Sequence, residues 1–160
     1  MDYFYYWPDY ELDTFGQTKA RYKLHRDTPD MLEICPGDTI WCVASLGFVP
    51  KPVALAAKMI AAKSGTNDPS HPDYRAFGPY YFVAGRTGTE FYVVNGQAGL
   101  EEILRKFTSF PVRAEHVGGS FQGPNGFRKL RPSDAASLRA FAASLSSHPV
   151  IKVKPKGGRP

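Results

Sequence analysis

The residues with the best claim to chemistry are few, and their spacing decides what they can do. His25, His71, His116 and His148 are scattered along 160 residues without ligand spacing. Cys35 and Cys42 have no histidine beside them, whereas a structural zinc site takes four ligands. Both cysteines read as plain thiols that pack as small hydrophobes, so neither metal nor cofactor is expected. His71-Pro72-Asp73 sets an imidazole next to a carboxylate, but within a stretch of Pro, Ser, Asn, Asp and Gly that reads as loop. Gly118-Gly119-Ser120 offers a hydroxyl, yet no Asp and His follow it in a triad-like arrangement. The chain holds no GxxxxGK[ST], no GxGxxG after a strand and no Gly-x-Ser-x-Gly elbow. Clustered acids of the kind that hold nuclease metals are missing too. No catalytic set is expected in this chain.

Aromatic and basic residues offer a different chemistry. Phe, Trp and Tyr make up 14% of the chain, with Tyr3, Phe4, Tyr5, Tyr6, Trp7 and Tyr10 packed into the first ten residues. Aromatic faces stack on nucleobases for about 1–3 kcal/mol per base. The net charge of +5 falls to +1 once Lys152, Lys154, Lys156 and Arg159 of the tail are taken away (5 − 4). The body is therefore nearly neutral, but its charge is segregated. Lys19, Arg21, Lys23 and Arg26 form one basic cluster, and Arg128, Lys129 and Arg131 form another. Such clusters neutralise phosphates even when the sum is small.

The elements that must position these groups follow from periodicity. Tyr3–Trp7 has strong strand propensity and is closed by Pro8. Alternation puts Tyr3, Tyr5 and Trp7 on one face and Phe4 and Tyr6 on the other. Residues 11–30 read as a long polar connection with one helical turn. Pro36-Gly37-Asp38 is a turn that introduces a strand over Thr39–Ala44. Lys51–Lys63 is alanine-rich like a helix, but it alternates at period two from Val53 to Ala61. Ser64–Phe77 reads as loop. Tyr80–Ala84 and Glu90–Val94 flank Gly85-Arg86-Thr87-Gly88-Thr89 as a hairpin would. Leu100–Phe107 carries a helical stripe. Glu115–Phe121 reads as a strand, and Ser133–Leu145 as a helix with Ser133 at its N-cap. One domain over 1–148 is expected, followed by a basic linker or tail over 149–160. No apolar run approaches the roughly 20 residues of a membrane span, and the start lacks the pattern of a signal peptide. A cytoplasmic protein is the expectation.

The order of these segments is similar to that of a known group. YYWPDY closes the first strand, PGDTIW opens the next and Ser45 follows it. VALAAKMIAAK, FGPYYFVAGRTGTEFYVV and SFQGPNGFRKLRPSDAASLRAF come after. The chain resembles EVE-like domains of the PUA superfamily, relatives of YTH and ASCH domains, above all those fused to nucleases in modification-dependent restriction systems. The likeness covers most of residues 1–145. It departs after the first strand, where WPDYELD replaces the usual Lys-Ser-Glu/Asn-Pro. The resemblance implies an α+β fold, a PUA-like mixed β-barrel of five to six strands with two or three capping helices. It also tilts Lys51–Lys63 towards strand.

What the resemblance implies for function is a reader of modified bases. A flipped base, such as 5-methyl- or 5-hydroxymethylcytosine in double-stranded DNA, would regain its lost stacking between aromatic walls. Carried over, the pocket falls on Tyr6, Trp7, Asp9, Trp41, Ser45, Phe121 and Gln122. Lys19, Arg21, Lys23, Arg26, Arg86, Arg128, Lys129 and Arg131 would meet the nucleic-acid backbone. A nuclease would be fused or associated. Two alternatives stand beside this reading: an ASCH-like ribonuclease or hydrolase using a Lys, Tyr and Arg set, and a non-catalytic protein-interaction module. The aromatic-pocket reading requires Trp7 and Trp41 to line one concavity.

Overall fold

The computed structural model describes residues 1–8, 10–14, 22–46, 52–85, 87–115, 117–121 and 126–149, without the side chains of Leu12 and Asp13. Strands β1 (Asp2–Tyr6), β2 (Lys23–Arg26), β3 (Thr39–Ser45), β4 (Val53–Thr66), β5 (Tyr80–Ala84), β6 (Glu90–Tyr92), β7 (Phe127–Lys129) and β8 (Ser147–His148) form one mixed sheet. Helices α1 (Tyr10–Thr14), α2 (Pro72–Phe77), α3 (Leu100–Arg105) and α4 (Pro132–Ala142) accompany it. The strand order β2-β5-β4-β3-β1-β7 curls the sheet into an α+β half-barrel, with β6 beside β4 and β8 beside β6.

β1 and β3 are buried on both faces, which is why both read as nearly continuous apolar runs. They pair in parallel, with Phe4 opposite Trp41 and Tyr6 opposite Val43. Tyr3, Tyr5, Trp7, Ile40 and Cys42 fill the inside of the curl with Met59, Phe82 and Phe91. Phe4, Trp41, Val43 and Leu55 fill a second core under α3 and α4, against Leu104, Phe110, Phe121 and Leu138. Residues 53–66 are strand, not helix. Ala56 and Ala57 pack in the core inside the curl while Val53 and Leu55 pack in the second core, so alanine marks tight packing here rather than helix propensity.

Several elements depart from the expected ones. Tyr80–Ala84 and Glu90–Tyr92 do not pair as a hairpin, because both run antiparallel to β4. The three-residue step from Ala61 back to Lys58 is matched by six from Ala84 to Glu90, so the glycine-rich insert is a bulged interruption. The Gly85 N–H donates to the Ile60 carbonyl at 2.8 Å on this edge. Residues 11–30 contain α1 as expected, and also the unforeseen β2. Ser64–Phe77 is not all loop, since it holds the end of β4 and α2. Within 115–121, Gly118–Phe121 is a 3-10 turn rather than a strand. α4 is capped at Arg131 with Pro132 in its first turn, not at Ser133. Asp134, in that first turn, accepts from the backbone N–H groups of Thr108 at 3.0 Å and Ser109 at 2.7 Å. Among the described residues, no helix is long and apolar enough to cross a membrane.

Candidate functional site

The two tryptophans do not share a concavity. Each is only 1% exposed, and they lie on opposite faces of the β1–β3 pair. Trp7 lies inside the curl, edge-on to Tyr10 (5.2 Å between ring centroids) and Tyr22 (5.1 Å). Trp41 lies in the helix-covered core at the other end of β1. Its indole Nε1–H donates to Asp2 Oδ2 at 2.9 Å, and the Arg139 guanidinium sits 5.9 Å from a ring centroid. Alternation along β1 explains this: Trp7 has the parity of Tyr3 and Tyr5, whereas Trp41 faces the same way as its partner Phe4.

Three other pocket candidates do come together, at the C-terminal ends of β1 and β3. Tyr6 is half-buried and its ring lies 5.7 Å from that of Phe121, tilted by 34°. Phe121 ends the 3-10 turn that begins at Gly118, where an added Cβ would stand 3.2 Å from Ser45 Oγ. The turn thereby brings the half-buried Ser45 hydroxyl and Tyr6 ring to one end of the curl (the mouth), with Phe121 fully buried behind them.

Arg26 completes the mouth and closes the half-barrel. β2 and β7 end the main strand order. From the end of β2, Arg26 Nη1 donates to the Tyr6 carbonyl at 3.3 Å and Nη2 to the Phe121 carbonyl at 3.5 Å. An added Cβ on Gly126, next to the first residue of β7, would overlap the guanidinium. The Tyr5 hydroxyl donates to the His25 carbonyl at 3.1 Å beside it. Burial pulls the Arg26 pKa down from its ordinary value, against the opposite pull of Tyr5 and Tyr6. Arginine stays charged even so, and the mouth keeps a fixed positive edge.

The remaining cations are spread out. Lys23 sits on the outer sheet face, bound to Asn67 Oδ1 at 3.0 Å and Asp73 Oδ2 at 3.1 Å, with Nζ 4.2 Å from the Tyr81 ring centroid. Arg128 is half-buried on β7 opposite Phe4. Lys129 and Arg131 are exposed near the N-terminal end of β1. Asp9, Lys19, Arg21, Arg86 and Gln122 lie outside the described residues.

The motifs that hinted at catalysis have structural work. His71 caps α2, its Nδ1 accepting from the Asp73 N–H at 3.1 Å. Ser120 Oγ accepts from the Arg113 N–H at 2.7 Å. Burial pushes the Cys42 thiol far up. No group of His, Cys, Asp and Glu that could hold a metal occurs among the described residues. Sequence reasoning missed Gly118, Gly126, Asp2 and Arg139. The signal for Gly126 was its place in a turn-rich stretch, Gly118 stood in a segment read as strand, and Asp2 and Arg139 are 137 residues apart. Fold and site together define an α+β half-barrel with Tyr6, Ser45 and Arg26 gathered at one end. No family model and no curated protein matches the chain.

Proposed function

We propose that this chain is a nucleic-acid-binding module that reads a modified base, 5-methyl- or 5-hydroxymethylcytosine in duplex DNA, by flipping it to the mouth. It would serve as the specificity domain of a modification-dependent restriction system whose nuclease is fused or associated. The observation that supports this reading is the meeting of Tyr6, Phe121, Ser45 and Arg26 at one end of β1. The Tyr6 ring offers a stacking face, and Ser45 with Arg26 offers hydrogen-bonding groups to a base edge. The stacking role thus moves from the tryptophan pair to Tyr6, which the fully buried Phe121 supports from below. The test compares binding to matched duplexes with and without the modified cytosine. Preference for the modified duplex, lost in Tyr6→Ala, is expected. Equal affinity for all duplexes sinks the reading.

One observation favours a second reading, an ASCH-like ribonuclease or hydrolase. Lys23, Tyr81, Asp73 and His25 cluster on the outer sheet face, with Asn67 joining Lys23 to His25. RNA cleavage that disappears in Lys23→Ala, with the fold intact by circular dichroism, would replace the first reading with this one.

A further inference from the structure

A groove of about 480 Å³ lies where α4 begins against the N-terminal end of β1. Asp2, Ser109, Lys129, Leu130, Arg131 and Arg139 line it. Met1 also lines the groove, its ammonium paired with Asp38 at 3.3 Å, and the three side-chain cations face the one carboxylate of Asp2, so two positive charges remain in excess (3 − 1). The Asp2 carboxylate is also engaged: Oδ2 accepts from Trp41 Nε1 at 2.9 Å and from Arg139 Nη2 at 3.2 Å. The buried indole therefore fixes Asp2, and Asp2 with the indole face fixes Arg139 at the rim. Behind the wall, Asp134 is occupied by Thr108 and Ser109 and is 4% exposed. The side chains of Lys129 and Arg131 have no acidic partner among the described residues. Two exposed cations and one anchored cation around a concave floor suit an anion with several charges.

β7 connects this groove to the mouth. The strand starts next to Gly126, against which Arg26 packs, and runs through Arg128 and Lys129 towards Arg131. It lies at the end of the main strand order, so Arg128 on one face and Lys129 on the other both border the sheet edge. Tyr6 and Asp2 are four residues apart on β1, roughly 13 Å at strand rise. With β1 lying along the duplex axis, that distance corresponds to about four phosphates of one strand, at one charge per roughly 3.4 Å of axis. We propose that this groove binds backbone phosphates of duplex DNA about four nucleotides from the base read at the mouth, with Lys129, Arg131 and Arg139 as the contacts. For the identity of the ligand this rests on the base-reading proposal. Charge on an edge strand also deters strand-to-strand aggregation, and the salt dependence of binding separates the two roles.

The experiment measures affinity for a matched pair of duplexes, modified and unmodified, across a salt series. It compares the wild-type chain with Lys129→Ala/Arg131→Ala and with Arg139→Gln. A control, Lys63→Ala/Arg75→Ala, removes the same net charge elsewhere. The groove pair is expected to flatten the slope of log K against log salt by about 2 and to weaken binding about tenfold or more at low salt. Arg139→Gln is expected to flatten it by about 1, and in both cases the modified-to-unmodified ratio stays at the wild-type value. An unchanged slope, or equal flattening by the control, overturns the groove and leaves base reading standing. A flattened slope with no preference for the modified duplex keeps the groove and removes base reading. Wild-type protein that binds neither duplex overturns both.

Discussion

Gly126 is small because Arg26 fills the volume that a side chain would take. A Cβ there would overlap the guanidinium and stand 2.8 Å from the Phe121 carbonyl. The guanidinium donates to the carbonyls of Tyr6 at 3.3 Å and Phe121 at 3.5 Å, two long hydrogen bonds from a charged donor. Gly126→Ala must therefore evict Arg26 or shift the turn before β7. We expect it to destabilise the fold by about 1–3 kcal/mol, the range for leaving such groups unpaired, read from the urea midpoint. Arg26→Ala removes one of the two obstacles, so the double variant should be less than additive by about 0.5 kcal/mol or more. Strict additivity would mean that the seam does not depend on this pair. The role of Arg26 illustrates what a sequence hides. As part of a cluster with Lys19, Arg21 and Lys23 it reads as a phosphate contact, and only the approach of β2 to β7 makes it a latch.

At the scale of elements, α2 is held by one polar cluster rather than by burial, since none of its residues is buried. Phe77 is 58% exposed and stacks on His25 at 5.1 Å, while Asp73 bonds Lys23 at 3.1 Å. Asn67 Oδ1 accepts from Lys23, so its Nδ2 must donate both to the Gly78 carbonyl at 2.7 Å and to His25 Nδ1 at 3.1 Å. An accepting Nδ1 means that the fold holds His25 neutral. Burial first, and Lys23 second, lower its pKa below the ordinary 6.5, against the opposite pull of Asp73. The unfolded chain then binds the proton more readily, so this contribution is whole above pH 6.5 and is lost as pH falls from there towards the depressed folded value. The difference in melting temperature between wild type and His25→Gln should shift against the wild type as pH falls below 6.5, because only the wild type loses this contribution. Parallel curves between pH 7.5 and 5 would remove His25 from the account. α2 itself was illegible in the sequence. Pro72 in a polar stretch reads as loop, and the contacts that order it come from β2 and Asn67. β4 was ambiguous for the opposite reason: alanine suits a helix in isolation, and burial on both faces shows only in the sheet.

For the whole molecule, the class of fold was legible because alternation and turn residues are local, and β1, β3, α3 and α4 stand close to where periodicity puts them. Which strands are neighbours was not. The 80–84 and 90–94 segments read as a hairpin because the insert is rich in glycine, yet β4 pairs with both. The tryptophan pair failed for a related reason, because a reading by strand ends ignores which face each residue takes. Tyr6, Ser45 and Phe121 survive as neighbours because one 3-10 turn links them. A ligand held at this mouth and along β7 would touch β1, β3, the 118–121 turn and β7 at once, so binding should raise the stability of the domain as a unit. At a free duplex concentration one hundred times Kd, linkage adds about 2.7 kcal/mol. For a domain of this size that raises Tm by roughly 5–11 °C. Modified duplex should reach this shift at a lower concentration than unmodified duplex, and Tyr6→Ala should bring the two curves together. Lys129→Ala/Arg131→Ala should move both curves to higher concentration and keep their separation. A wild-type Tm that does not respond to either duplex at high concentration and low salt would show that this half-barrel takes no DNA, at the mouth or in the groove.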